Sequence, residues 1–325
     1  MRRRDFLGGF VSAAAWPPPG RAQQAGKVTR IGFLGSGFAS SKGSPAAALR
    51  LGLRDLGYVE GVNLVIVYRW AEDKYERLPA LAAELVRSNV EVILTHGTPG
   101  TLAAKQATTT IPIVMTTIGD PVAAGVVAHV ARPGRNITGQ SFFNPELSAK
   151  RIELLKETSP RMTRAAFLFN PDNPGIGLPP QAVEIAAQFL NVEVQQFPVR
   201  SRDEFESTFE KMEQAHVEAV EIDDDAMLVD NIGAIAASAT KRRLLSIGGK
   251  ELAQVGGLIG YGVEYSAMFR RTAVFIDKIL KGTKPADLPI EQAAKFEFVL
   301  NLKTAKALGL DIPTSILLRA DQVIE

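Results

Sequence analysis

The sequence predicts an α/β protein of two lobes, each built on a parallel sheet, and three observations predict it. Short apolar β-type runs alternate with helical patterns, the mark of strands joined by crossover helices. The alternation restarts after about residue 146, so two βα series of similar size follow one another. The chain has 325 residues, and the roughly 300 beyond its first segment exceed what one core usually holds.

In the first series, residues 30–34 read as a strand ending in the loop Gly35-Ser36-Gly37, and residues 46–56 as a helix closed by Gly57. Residues 64–68 are the second strand. Leu78, Leu81, Ala82, Leu85 and Val86 then fall at i, i+3, i+4, i+7 and i+8, one face of a helix. Residues 90–94, 113–115 and 136–139 complete the first set of strands. In the second series, helices at 146–158, 181–190, 203–215 and 231–240 alternate with strands at 165–169, 192–197, 219–222, 244–247 and 258–261. Phe269, Ala273, Ile276 and Leu280 mark one long late helix stopped by Gly282. A strand at 296–300 and a helix at 303–308 close the chain, a tail too short for a third domain.

The first 22 residues read as an export signal. Arg3-Arg4 is followed by Phe6 and Leu7, a short apolar stretch and three prolines, with Gly20 and Ala22 as the small residues a signal peptidase accepts. The stretch is too short to span a bilayer. Taking its four arginines and one aspartate from 37 basic and 35 acidic residues leaves 33 against 34. No basic surplus remains for nucleic acid, so none is expected as a partner. With no cysteine there is no disulfide and no lipid-modified anchor, and the exported chain is expected free in the periplasm.

Ligands of parallel sheets bind beyond the carboxyl ends of the strands, so the loops there carry the candidates. Gly97–Thr101 ends a strand and opens a helix, placing unpaired N–H groups at a positive dipole end. Thr98 and Thr101 add hydroxyl donors. This suits a carboxylate or other small anion, and the same geometry also serves a plain helix cap. Asp120-Pro121 offers either an acceptor for a ligand ammonium or an N-cap. Trp70, at a strand end, offers a stacking surface or simply core packing. Asp223-Asp224-Asp225 could take a cation or an ammonium, though three adjacent carboxylates usually mark a solvated turn, and no metal is expected there.

Enzyme motifs are missing. The three histidines, His96, His129 and His216, show no metal-protease spacing, and no nucleophile elbow or P-loop occurs. Gly35-Ser36-Gly37 begins like a dinucleotide fingerprint, but its third glycine is replaced by Ser40. No catalytic residue, metal or cofactor is therefore expected. The enzyme rival would need Ser36 and His96 to pair as nucleophile and base.

A run of segments in fixed order carries a resemblance: 52–61, 81–85, Gly97-Thr98-Pro99, 111–114, Asp120-Pro121-Val122, 132–139, 279–282, 285–289 and 301–313. The chain resembles the solute-binding proteins of ABC importers, in the branch associated with tryptophan and tyrosine uptake. The resemblance implies a type I periplasmic-binding fold, with two Rossmann-like lobes and three crossover segments near 139–142, 261–264 and 289–295. Lobe 1 is then expected at 28–139 plus 263–290 and lobe 2 at 140–262 plus 291–325. It implies a monomeric receptor that closes on a small organic solute, an amino acid or other small carboxylate, and delivers it to an inner-membrane ABC permease. A binding protein reporting to a membrane sensor would look the same. By the family pattern Thr98 meets the ligand carboxylate and Asp120 the ammonium. The full set of expected contacts is Ser36, Gly37, Trp70, Gly97, Thr98, Thr117, Asp120, Asn144, Asn170, Asp224, Lys250 and Tyr261.

Overall fold

The computed structural model describes residues 28–39, 45–142, 144–175, 181–293 and 295–325; the export signal expected at 1–22 and Ser40 lie outside them. Its first half runs β1 (Thr29–Gly35), α1 (Pro45–Asp55), β2 (Leu64–Trp70), α2 (Leu78–Arg87), β3 (Val92–His96), α3 (Gly97–Ala107), β4 (Ile113–Ile118) and β5 (Ile137–Ser141). The second round is α4 (Asn144–Thr158), β6 (Arg164–Phe169), α5 (Gln181–Phe189), β7 (Glu193–Pro198), α6 (Phe205–Gln214), β8 (Ala219–Ile222), α7 (Ala226–Asp230), α8 (Ile232–Lys241), β9 (Leu245–Gly248), α9 (Lys250–Gln254) and β10 (Ile259–Val263). Then come α10 (Tyr265–Leu280), β11 (Glu291–Gln292), β12 (Phe296–Asn301), α11 (Leu302–Leu308), α12 (Thr314–Leu317) and β13 (Gln322–Ile324).

The strands form two sheets, ordered β11-β5-β4-β3-β1-β2 and β13-β12-β10-β9-β8-β6-β7. Central strands of such sheets are covered on both faces and need continuous apolar runs. β4 is buried at every position, and β1 at all but Arg30. β7, at an edge, is buried only at Phe197. The face predicted for α2 packs inward through Leu78, Leu81, Ala82 and Leu85. α10 buries Phe269, Ala273 and Ile276 in the cluster that also holds Phe33, Leu49 and Leu53, so it belongs with the first sheet.

The chain leaves the first sheet after β5, returns through Glu264 into α10, and leaves again between β11 and β12. Three boundaries differ from the expected ones. Gln140 pairs with Glu291 inside the first sheet, so residues 140–141 and 291–292 stay with lobe 1, and Val263 pairs with Phe296 in the second. The second sheet is also not wholly parallel, because β10 and β12 run antiparallel. β12 enters from the other lobe rather than through a crossover helix, so the parallel rule does not bind it. Among the described residues, no helix is long and apolar enough to cross a membrane.

Candidate functional site: a cleft between the lobes

A cleft of about 820 Å³ separates the carboxyl ends of the two sheets. Eight of the expected contacts line it: Ser36, Gly37, Trp70, Gly97, Thr98, Thr117, Asp224 and Lys250.

On the lobe 1 side, α3 begins at Gly97 with no side chain capping its first N–H groups. Gly97, Pro99 and the buried Thr98 line the cleft, so a helix N-terminus, where backbone N–H groups are unpaired, opens at its wall. Thr101 was expected to add a hydroxyl, but it is spent internally, donating to the Gly97 carbonyl at 2.8 Å. Thr117 has φ +54°, a strained conformation for a β-branched residue, at the irregular stretch of β4 beside β5. Trp70 lies against Phe33, centroids 4.8 Å apart, so it both packs the lobe and presents a ring to the cleft. Ser36 donates to the His96 carbonyl at 3.0 Å. The His96 ring meets Phe269 edge-on at 5.4 Å, and burial pushes its pKa down to about 4. The serine hydroxyl is thus committed to a carbonyl, and the arrangement does not assemble a nucleophile–base pair.

On the lobe 2 side, the aspartate run divides its labour. Asp223 and Asp224 line the cleft. Asp225 turns away and is completely buried, which raises its pKa. It accepts from Asn170 at 3.2 Å, Asn173 at 2.9 Å and the Met227 N–H at 3.0 Å, capping α7. A solvated turn was the expectation; Asp223 and Asp225 are instead buried, and a cation lies against Asp224. That cation is Arg151 of α4, with no solvent exposure. Its Nη2 lies 2.8 Å from Asp224 Oδ2 and its Nη1 3.7 Å from Glu221 Oε1. Burial works against its charge, but Asp224 and Glu221 prevail and its pKa is raised. Glu221, fully buried, is pushed up to about 7 by desolvation. The Asp224 carboxylate also accepts from the Tyr265 hydroxyl at 3.1 Å.

The lobes meet across the cleft. The Tyr75 hydroxyl of lobe 1 donates to Asp225 at 2.8 Å, and the Phe38 N–H donates to Asp230 at 2.9 Å. Gly37 and Gly175 are small for a reason: a Cβ on the first would overlap Asp230, and on the second the Thr98 hydroxyl. Asn173 sets this approach, accepting from the Gly175 N–H at 2.9 Å while donating to Asp225.

Four expected contacts are placed otherwise. Asp120 is not among the lining residues; its Oδ1 accepts from the N–H groups of Val122 at 2.8 Å and Ala123 at 3.0 Å, closing a turn where the capping alternative expected a helix. Asn170 is buried behind the wall on Asp225. Tyr261 packs on Phe296 and Phe298 and offers its carbonyl to Arg151. Asn144 opens α4, and its side chain is outside the described set. Lys250 does line the cleft, but its Nζ is paired with Glu297 at 2.6 Å. Sequence reasoning missed Tyr75 and Arg151, and reached Asn173 and Tyr265 only as members of loops that follow strands. Arg151 sits mid-helix with nothing in its spacing to mark it. The visible hints were the loops Asn170-Pro171-Asp172-Asn173 and 261–265, each after a strand. Among the described residues no acidic, cysteine or histidine cluster could hold a metal.

The comparisons with known proteins agree with this architecture. A family model described as ABC transporter substrate binding protein matches residues 45–324. A tyrosine-binding protein of Clostridioides difficile is 25% identical over 260 residues, covering 79% of this chain and 74% of its own. The structure of an ABC domain in complex with L-Trp from Streptococcus pneumonia is 26% identical, with TM-score 0.81 over 90% of this chain and all of the other. A conserved domain protein from Vibrio cholerae shares the fold at TM-score 0.85 and 24% identity, over 91% of this chain and all of that one.

Proposed function

The chain belongs to the ABC transporter substrate-binding protein family, and from that premise we propose that it is an exported receptor for an aromatic L-amino acid. It holds the ligand in the cleft and hands it to an inner-membrane permease. The observation that carries the reading is the pair of opposite poles across one cleft. The uncapped start of α3 with Thr98 takes the carboxylate, and Asp223 and Asp224 take the ammonium. Asp120, which does not line the cleft, is not assigned that role. Between the poles, Phe38, Trp70, Phe142 and Phe269 supply an apolar wall for a ring. The named ligands of the tyrosine-binding relative and the L-Trp complex support the same class. Ligand touching both lobes favours the closed arrangement, which is how binding becomes a signal a permease can read. The twin-arginine start supports periplasmic delivery, and the commitment of Ser36 to a carbonyl supports binding without turnover.

Calorimetry tests it with four ligands: L-tryptophan, L-tyrosine, tryptamine and indole-3-propionate. One amino acid should bind, and the analogue lacking either pole should bind about tenfold or more weakly, as expected for a lost charged hydrogen bond. Equal binding of L-tryptophan and both analogues, or no binding of any amino acid, would overturn the reading.

A further inference from the structure

Arg151 does not line the cleft, yet its surroundings are built around the residue that does. It heads the fully buried side chains by size. A guanidinium in such a place costs several kcal/mol of desolvation unless every donor is matched, and a leucine or methionine would fill the same space. Its Nε donates to the Tyr261 carbonyl at 2.8 Å and its Nη1 to the Ile222 carbonyl at 3.2 Å. These acceptors sit in β10 and at the end of β8, so the backbone of two strands fixes the fork. The remaining arm, Nη2, is thereby brought within 2.8 Å of Asp224 Oδ2, an ion-pair contact and not an aligned hydrogen bond. Asp224 lines the cleft and is held at its other oxygen by Tyr265. Glu221 lies farther from the guanidinium, at 3.7 Å, so Asp224 is the closer countercharge.

We infer that Arg151 is the positioning residue for amine selection: from behind the cleft wall it holds the Asp224 carboxylate in place for the ligand ammonium. The inference rests on the aromatic amino acid reading above. It says that discrimination for an amino group depends on a residue that touches no ligand. A planar fork locked by two carbonyls does this where a flexible ammonium would hold less direction.

The test is calorimetry on the exported chain, comparing the amino acid it binds with the matching deaminated acid: L-tryptophan with indole-3-propionate, or L-tyrosine with 3-(4-hydroxyphenyl)propionate. Arg151→Met should weaken the amino acid by about 10- to 100-fold and the deaminated acid by less than about threefold, so the preference collapses. Arg151→Lys should keep part of it. On an Asp224→Asn background, Arg151→Met should leave the remaining preference unchanged, because the two act as one unit. A merely structural role would lower both ligands alike, and that result overturns the proposal. If Arg151→Met does not fold, the Lys variant decides, with an undiminished preference for the amino acid counting against the inference. A wild type with no preference would overturn the amino acid reading itself, whereas a wild-type preference that survives in Arg151→Met overturns only the role of Arg151.

Discussion

At the residue scale, the three adjacent aspartates show how identical side chains part company by position. Asp223 and Asp224 look into the cleft, and Asp225 is buried under Tyr75 and two asparagines. Sequence identified the run but not the division, since burial of a carboxylate depends on partners as remote as Arg151 and Tyr75. Asp120 shows the opposite case, where local chemistry won. Asp120→Ala should leave ligand affinity unchanged by calorimetry and lower stability by about 1 kcal/mol, as the loss of a side-chain hydrogen bond that closes a turn does. Asp73 supplies a pH prediction. Burial, then the neighbouring carboxylates of Asp230 and Asp225, push its carboxyl up to about 7. A raised carboxyl favours the folded, closed arrangement while protonated, so its contribution fades as pH climbs from about 4 through about 7. Asp73→Asn should therefore raise the melting temperature at pH 8, with the gain shrinking toward zero near pH 4. A gain that grows on acidification would refute the sign.

At the element scale, the strands, α2 and the long α10 were legible because apolar periodicity reports one buried face at a time. The short α7 and α9, and the two-residue β11, were not, because they carry too few residues for a period and owe their form to tertiary neighbours. The loop after β6 is the element that the site depends on most. Asn170 and Asn173 tie it to Asp225, and Gly175 then rests on Thr98 at the start of α3. Gly175→Val should hold the lobes apart, raising the radius of gyration by X-ray scattering in the presence of ligand and weakening binding. Tyr75→Phe removes a hydrogen bond that spans the lobes and leaves a buried carboxylate short of a partner. It should weaken ligand affinity by about 3- to 30-fold through a shifted opening equilibrium, read by calorimetry.

At the scale of the whole molecule, two α/β lobes could be read from the restart of the βα pattern, and the cleft from the rule that loops after parallel strands carry sites. Eight of twelve expected contacts line it, because each follows a strand and the fold gathers strand ends. What stayed hidden lies between lobes: Tyr75 with Asp225, Phe38 with Asp230, and Gly175 with Thr98 join residues over 70 positions apart. No local pattern encodes such pairs. They matter because any opening of the cleft would break them, and on the proposed reading ligand supplies the differential contact that favours closure. The most direct measurement is a crystal structure of the protein grown with L-tryptophan or L-tyrosine. The carboxylate should lie at the start of α3 beside Thr98 and the ammonium on Asp223 and Asp224. A ligand bound with these poles reversed, or with its ammonium on Asp120, would contradict that placement.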